Sequence, residues 1–228
     1  MRDAVRRISG EDCEIVGASR TDSGAHARGQ VCHFDSRIPA DRWVNALNQS
    51  MERDIRAVKA EAVSEDFNAR FMAMDRTYWY KILRNTTDPF RQRYAHAIHW
   101  DLDVNLMKQA AAMLVGRHDF RAFTEELDPS IQNTVRRLYG VEVIAKRDEV
   151  CIAIRGTAFL RGMMRRMSGA LLEVGRGKRS LESFSRLLTK DRDQESWPVV
   201  LPANGLTLMK VRYGRHPRDC RVNPRKDV

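Results

Sequence analysis

The sequence predicts an α+β protein built on antiparallel sheets. Segments with strand alternation and segments with helical spacing are mixed along the chain. Two long strand-like runs, Val135–Lys146 and Glu149–Gly156, are separated only by Arg147-Asp148, as an antiparallel hairpin requires. No internal repeat is present.

In chain order, residues 5–8 read as the end of an amphipathic helix that lacks its beginning. Residues 13–18 and 30–35 read as strands. Pro39 opens a helix to about Met51, with Trp43, Val44 and Leu47 on its apolar side. Residues 55–62 alternate like a strand, and polar Ser64-Glu65-Asp66 marks a hinge. The expected division is an N-terminal subdomain over 1–66, a C-terminal one over 67–214, and a mobile tail over 215–228. In the second part, residues 76–85 and 95–100 read as strands. Asp103 is a helix N-cap before Leu106, Met107, Ala110, Ala111 and Leu114, with Gly116 as the stop. Residues 161–174 form the clearest helix, with Met167, Leu171 and Val174 at helical spacing before Gly175. Ser180 caps a further helix, and Leu206–Tyr213 is the last strand.

The 228 residues are 43% hydrophobic, enough for one or two domains with real cores. No run approaches the ~20 apolar residues of a membrane helix. Cys13, Cys32, Cys151 and Cys220 are dispersed, which favours free thiols in a reducing cytoplasm over disulfides or a zinc site. His96 and His99 are three apart in a strand and point to opposite faces, so they cannot share a metal, and no metal site is expected. The net charge of +10 points to a polyanionic partner.

The chemistry concentrates in Gly17-Ala18-Ser19-Arg20-Thr21-Asp22-Ser23-Gly24-Ala25-His26-Ala27-Arg28-Gly29-Gln30. A carboxylate stands in a turn after a strand-like run. Arg20, two residues earlier, can face the same cleft and keep Asp22 ionised once a substrate excludes water. Gly24 and Gly29 let the backbone bend and let another molecule approach. Asp-Ser-Gly alone is a common turn tripeptide. An aspartic-protease reading needs two such carboxylates, and the chain has one such tripeptide.

The run Arg20-Thr21-Asp22-Ser23-Gly24-Ala25-His26, followed by Gly29-Gln30-Val31, resembles the active-site motif of TruA-type tRNA pseudouridine synthases, with Ser23 where the family has Ala. The resemblance continues in order through Phe67-Asn68-Ala69-Arg70-Phe71, Arg76-Thr77-Tyr78-Trp79-Tyr80 and His118-Asp119-Phe120-Arg121-Ala122-Phe123. It extends to Ala158-Phe159-Leu160-Arg161-Gly162-Met163-Met164-Arg165 and Pro202-Ala203-Asn204-Gly205-Leu206-Thr207-Leu208. It implies two ferredoxin-like α/β subdomains flanking a central RNA-binding cleft. It also implies that the chain starts inside the family's first helix, so Met1 is read as an internal start. Loss of the preceding strand is expected to leave strand edges unpaired.

By the same resemblance Asp22 is the catalytic carboxylate, Tyr78 stands beside it against the target base, and Arg165 pairs with it. Trp79 and Tyr80 are ordinary packing residues, as are His33 and His118. Arg161, one turn before Arg165, is expected on the same helix face. His26, Arg28, Arg76, Arg161, Arg166, Arg176, Lys178 and Arg179 are candidates for RNA contact, a solvated face being the plain alternative for Arg161 and Arg166. The implied reaction isomerises uridine to pseudouridine in the anticodon stem-loop of tRNA. It acts on a flipped nucleotide and needs no cofactor, because the same base leaves and returns. A homodimer is implied, with one tRNA touching both subunits. The competing readings are a non-catalytic RNA-binding protein on the same scaffold and a glycoside or nucleoside hydrolase. The hydrolase would need a second carboxylate.

Overall fold

The computed structural model describes residues 1–86, 88–124 and 133–214; the tail expected from residue 215 lies outside the described residues. The first elements are α1 (Arg2–Ser9), β1 (Val16–Gly17), β2 (His26–Ala27), β3 (Cys32–His33) and α2 (Ala40–Ser50). Then come β4 (Ala73–Arg84), α3 (Pro89–Gln92), β5 (His96–Ile98), α4 (Val104–Met113) and β6 (Gly116–Asp119). The chain continues with β7 (Val135–Lys146), β8 (Glu149–Gly156), α5 (Met163–Gly175), α6 (Leu181–Arg186) and β9 (Leu206–Tyr213). The architecture is mixed α+β, as expected.

Backbone proximity groups the chain into two compact units. Of the described residues, one holds Met1–Arg20, Gln30–Ala73 and Tyr213 with Gly214; the other holds Thr21–Gly29 and Met74–Arg212. The grouping differs from a linear division at residue 66, because the Asp22 loop leaves the first unit and is counted with the second.

The first unit has a small core of Ala4, Val5, Trp43 and Leu47, flanked by partly buried residues such as Ile15, Phe34 and Ile38. The Phe34 ring meets Trp43 edge-on at 4.9 Å. Each fully buried large apolar side chain contributes roughly 1.5–3 kcal/mol, so a core of four closely packed residues holds this unit modestly. β1 and β3 pair antiparallel over two residues only, Val16 with His33 and Gly17 with Cys32. The strands expected over 13–18 and 30–35 are therefore much shorter. The strand expected over 55–62 does not form. Asn48 takes the place of a partner strand: its amide donates to Ala57 O at 2.9 Å and accepts from Ala57 N at 2.8 Å. Val58 is left 85% exposed, which explains why alternation there carries no burial.

The second unit is built on a sheet of order β2-β9-β4-β8-β7-β6, with β5 added to β4. β7, β8 and β4 run antiparallel in turn, whereas β2 joins β9 in parallel. The predicted hairpin turns at Arg147-Asp148, where Arg147 takes a positive φ of 53°. Asp103 caps α4 by accepting from Asn105 N and Leu106 N, and Ser180 caps α6 through Ser183 N. α5 is buried almost all round, with only Arg165, Arg166 and Glu173 partly exposed. It starts at Met163, so Arg161 stands before the helix and not one turn along it.

Candidate active site

The Asp22 loop is fixed at several points. At its stem, Gln30 mimics backbone: its amide nitrogen donates to Ser19 O at 2.6 Å, and its oxygen accepts from Ser19 N at 3.3 Å and Val31 N at 3.2 Å. The turn closes through Ala25 N, which donates to Asp22 O at 3.0 Å. Gly24 has φ +84°, a left-handed conformation that suits glycine. β2 then runs beside β9, His26 opposite Thr207 and Ala27 opposite Leu208. Arg28 N and Gly29 N both donate to Leu208 O. A Cβ on Gly29 would lie 2.4 Å from Met209 O. The open side of Gly29 is thus filled by β9, not kept clear for a second molecule as the sequence implied.

Asp22 itself is partly exposed. Its Oδ2 accepts from Arg165 Nη1 at 2.9 Å, with the two side chains 29% and 19% exposed. Arg165 is held from a second direction, because its Nε donates to Leu201 O at 2.6 Å. The loop carrying that carbonyl is itself anchored. Tyr80 donates its hydroxyl to Pro202 O at 2.8 Å, and the ring fills the space beside Gly205, where a Cβ would sit 2.7 Å from Tyr80 Cζ. Asn204 donates to Gln92 O at 2.8 Å and Ala95 O at 3.0 Å. Burial raises the Tyr80 hydroxyl pKa above its usual value, so this donor stays protonated. Tyr80 therefore does more than fill the core, and nothing in its spacing distinguished it.

Tyr78 lies on the same face of β4 as Tyr80 and is buried, its ring edge-on to Phe159 at 5.0 Å. Arg20 is exposed and belongs to the first unit, whereas Asp22 belongs to the second. The cation that reaches the carboxylate is Arg165.

The candidate RNA contacts divide. Arg28, Arg161, Arg176 and Lys178 are exposed, and the Arg176 guanidinium lies 3.8 Å from the Trp100 ring centre. Arg166 is half-buried, donates to Pro198 O at 2.8 Å and lies over Trp197. Arg76 is buried and donates to Thr157 O at 2.8 Å, which gives it a structural task. Arg179 is also buried. It donates to Glu173 at 2.8 Å and to Ser196 O at 2.8 Å, and lies 3.7 Å from Glu195. Arg76 and Arg179, both expected to touch phosphate, are buried and held by these protein acceptors. His26 spends Nε2 on Arg93 O at 3.0 Å and rests on Tyr94, so it tethers the loop. Asp119 is consumed by Thr134, Arg121 N and Arg192, and offers no second carboxylate for hydrolysis.

The site is thus a carboxylate clamped by an arginine from a buried helix, on an α+β scaffold. A family model described as tRNA pseudouridine synthase matches residues 110–214. The tRNA pseudouridine synthase A of Brevibacillus brevis is 42% identical over 213 residues, 92% of this chain and 86% of that protein. The protein of the same name from Bacillus pumilus is 40% identical over 202 residues, covering 87% and 81% of the two chains. That of Syntrophotalea carbinolica is 35% identical over 223 residues, covering 96% and 87%. The chain belongs to the tRNA pseudouridine synthase A family.

Proposed function

We propose that this protein isomerises uridine to pseudouridine in tRNA, with Asp22 as the catalytic carboxylate. The observation that carries the reading is the Arg165–Asp22 pair at 2.9 Å within a loop fixed on both sides. The N1–C1′ glycosidic bond of a flipped uridine breaks, the uracil turns, and C5 bonds to C1′. The hydrogen at C5 leaves as a proton and N1 gains one, so the change is an isomerisation without redox balance to settle. Asp22 serves either as nucleophile at C1′ or as base at the C2′ proton. Oδ2 is committed to Arg165, which leaves Oδ1 for the nucleoside. Arg165 counters the charge of the carboxylate once RNA displaces water. Tyr78, on the sheet face shared with Tyr80, is the ring expected against the base. Arg28, Arg161, Arg176 and Lys178, all exposed, supply the positive charge that neutralises phosphate in this reading.

The finer reading is a cytoplasmic homodimer acting on the anticodon stem-loop. For the dimer, support comes from the sheet face away from Tyr80, where Trp79 is half-buried and Ile144, in register with Cys151, is 48% exposed. Among the described residues no helix is long and apolar enough to cross a membrane.

The test is tritium release from tRNA carrying uridine labelled at C5, because only formation of the C1′–C5 bond expels that hydrogen. Release with one pseudouridine formed per tritium lost is expected. Tight tRNA binding without release would instead favour the non-catalytic RNA-binding reading.

A further inference from the structure

Beside the Asp22 loop stands a group of side chains that the proposed chemistry leaves unused. Phe90 is 86% exposed and Tyr94 is 51% exposed. They are four residues apart, Phe90 in α3 and Tyr94 just past its Arg93 cap. The Tyr94 ring is backed by His26, centre to centre 4.7 Å, and flanked by the Arg93 guanidinium at 5.9 Å. Exposing two large rings costs hydrophobic free energy in the unbound protein, which calls for an occupant.

The turn that carries them is rigidly presented. Asp88 caps it by accepting from Phe90 N and Arg91 N. Arg91 grips Asp148 with two hydrogen bonds, at 2.5 and 3.1 Å. Asn204 binds the carbonyls of Gln92 and Ala95 on its far side. Asp88 of the turn and Asp148 of the β7–β8 hairpin are therefore consumed internally, while Arg93 and Arg28 are exposed cations. Two exposed rings, one of them flanked by the Arg93 guanidinium, match the chemistry of a single-stranded nucleic acid: bases for the rings, phosphate for the arginine. The turn adjoins the Asp22 loop, because His26, four residues after Asp22, binds Arg93 O directly.

We propose that Phe90 and Tyr94 form a stacking platform for an unpaired nucleotide of the RNA strand adjoining the reacting uridine. This rests on the reading of the chain as an RNA-modifying enzyme. The platform accepts any base, since stacking reads a ring face and no hydrogen-bond edge. It also holds the strand splayed, which lowers the cost of turning the neighbouring uridine out.

The test uses the full chain with Phe90→Ala, Tyr94→Leu, the double variant and Tyr94→Phe. Affinity for tRNA is read by filter binding across a salt series, KM and kcat by tritium release, and oligomeric state by light scattering. Phe90→Ala and Tyr94→Leu should each weaken binding about 5- to 100-fold, the usual worth of one base–aromatic stack. Tyr94→Phe should restore affinity to within about twofold of wild type, because the ring remains. The salt slope should not change, as no phosphate contact is removed, and the loss should fall on KM more than on kcat. Wild-type affinity in the double variant would overturn the proposal. So would weakened binding accompanied by loss of an oligomer, which would make the rings a contact between copies. The wild-type arm keeps the two readings apart: platform-dependent binding without tritium release would retire the enzymatic reading alone.

Discussion

Arg165 and Asp22 lie 143 residues apart in sequence and meet at 2.9 Å. The contact depends on a third group, Leu201 O, which holds Arg165 Nε at 2.6 Å. A guanidinium fixed at two of its nitrogens has little freedom to leave the carboxylate, so Asp22 is aimed before substrate arrives.

Replacing Arg165 should therefore damage catalysis far more than tRNA binding. Arg165→Met is expected to lower the single-turnover rate by about 10²-fold, the scale of misplacing a reactive group by an ångström. Arg165→Lys should recover little, because an ammonium cannot bridge Asp22 and Leu201 O as a planar fork does. Rates and affinities measured on both variants check this.

Arg179 should show the opposite profile. Arg179→Met leaves Glu173 without its buried cation and takes one of two cations from Glu195, a loss of about 3–5 kcal/mol. In a chain of this size that lowers the melting temperature by roughly 2–4 °C per kcal/mol. Calorimetry should show the drop, while the rate of the protein that remains folded stays close to wild type.

Gly29→Ala should perturb the active site from a distance. Its new Cβ would lie 2.4 Å from Met209 O, so β2 must shift away from β9 and carry the loop with it. Reduced activity and reduced stability are expected together. Gly17→Ala meets nothing within 4 Å and serves as the control that should leave both unchanged.

Acid sensitivity should trace in part to Glu195. The Ser183 hydroxyl, then Arg186, hold its carboxyl below the usual carboxylate range. A depressed folded pKa contributes stability above the unfolded value and loses it as pH falls through the folded one. Urea unfolding from pH 7 to pH 3 should show wild type losing stability below about pH 4.5. Glu195→Gln should start lower and fall less steeply over that window.

Much of this was legible from residue order. The α5 stripe, the Asp103 and Ser180 caps and the β7–β8 hairpin are local patterns, and the structure forms them where the spacing put them. The Asp22 loop was legible because its residue types are those of a turn bearing a carboxylate, and Arg165 followed from the family motif. What escaped was non-local. Alternation over residues 55–62 looks like a strand, but Asn48 supplies both hydrogen bonds a partner would give Ala57. Arg179 reads as a surface cation until Glu173 and Glu195 enclose it. Phe90 and Tyr94 carry no signal in the sequence, since nothing in their spacing reveals that their rings are exposed. The Leu201 and Pro202 carbonyls carry no side-chain signal at all.

The most direct measurement is tritium release by Asp22→Asn under single-turnover conditions, beside its affinity for the same tRNA. Loss of detectable release with affinity within a few-fold of wild type is the predicted result. Pseudouridine formed at an undiminished rate by Asp22→Asn would contradict the assignment of this carboxylate.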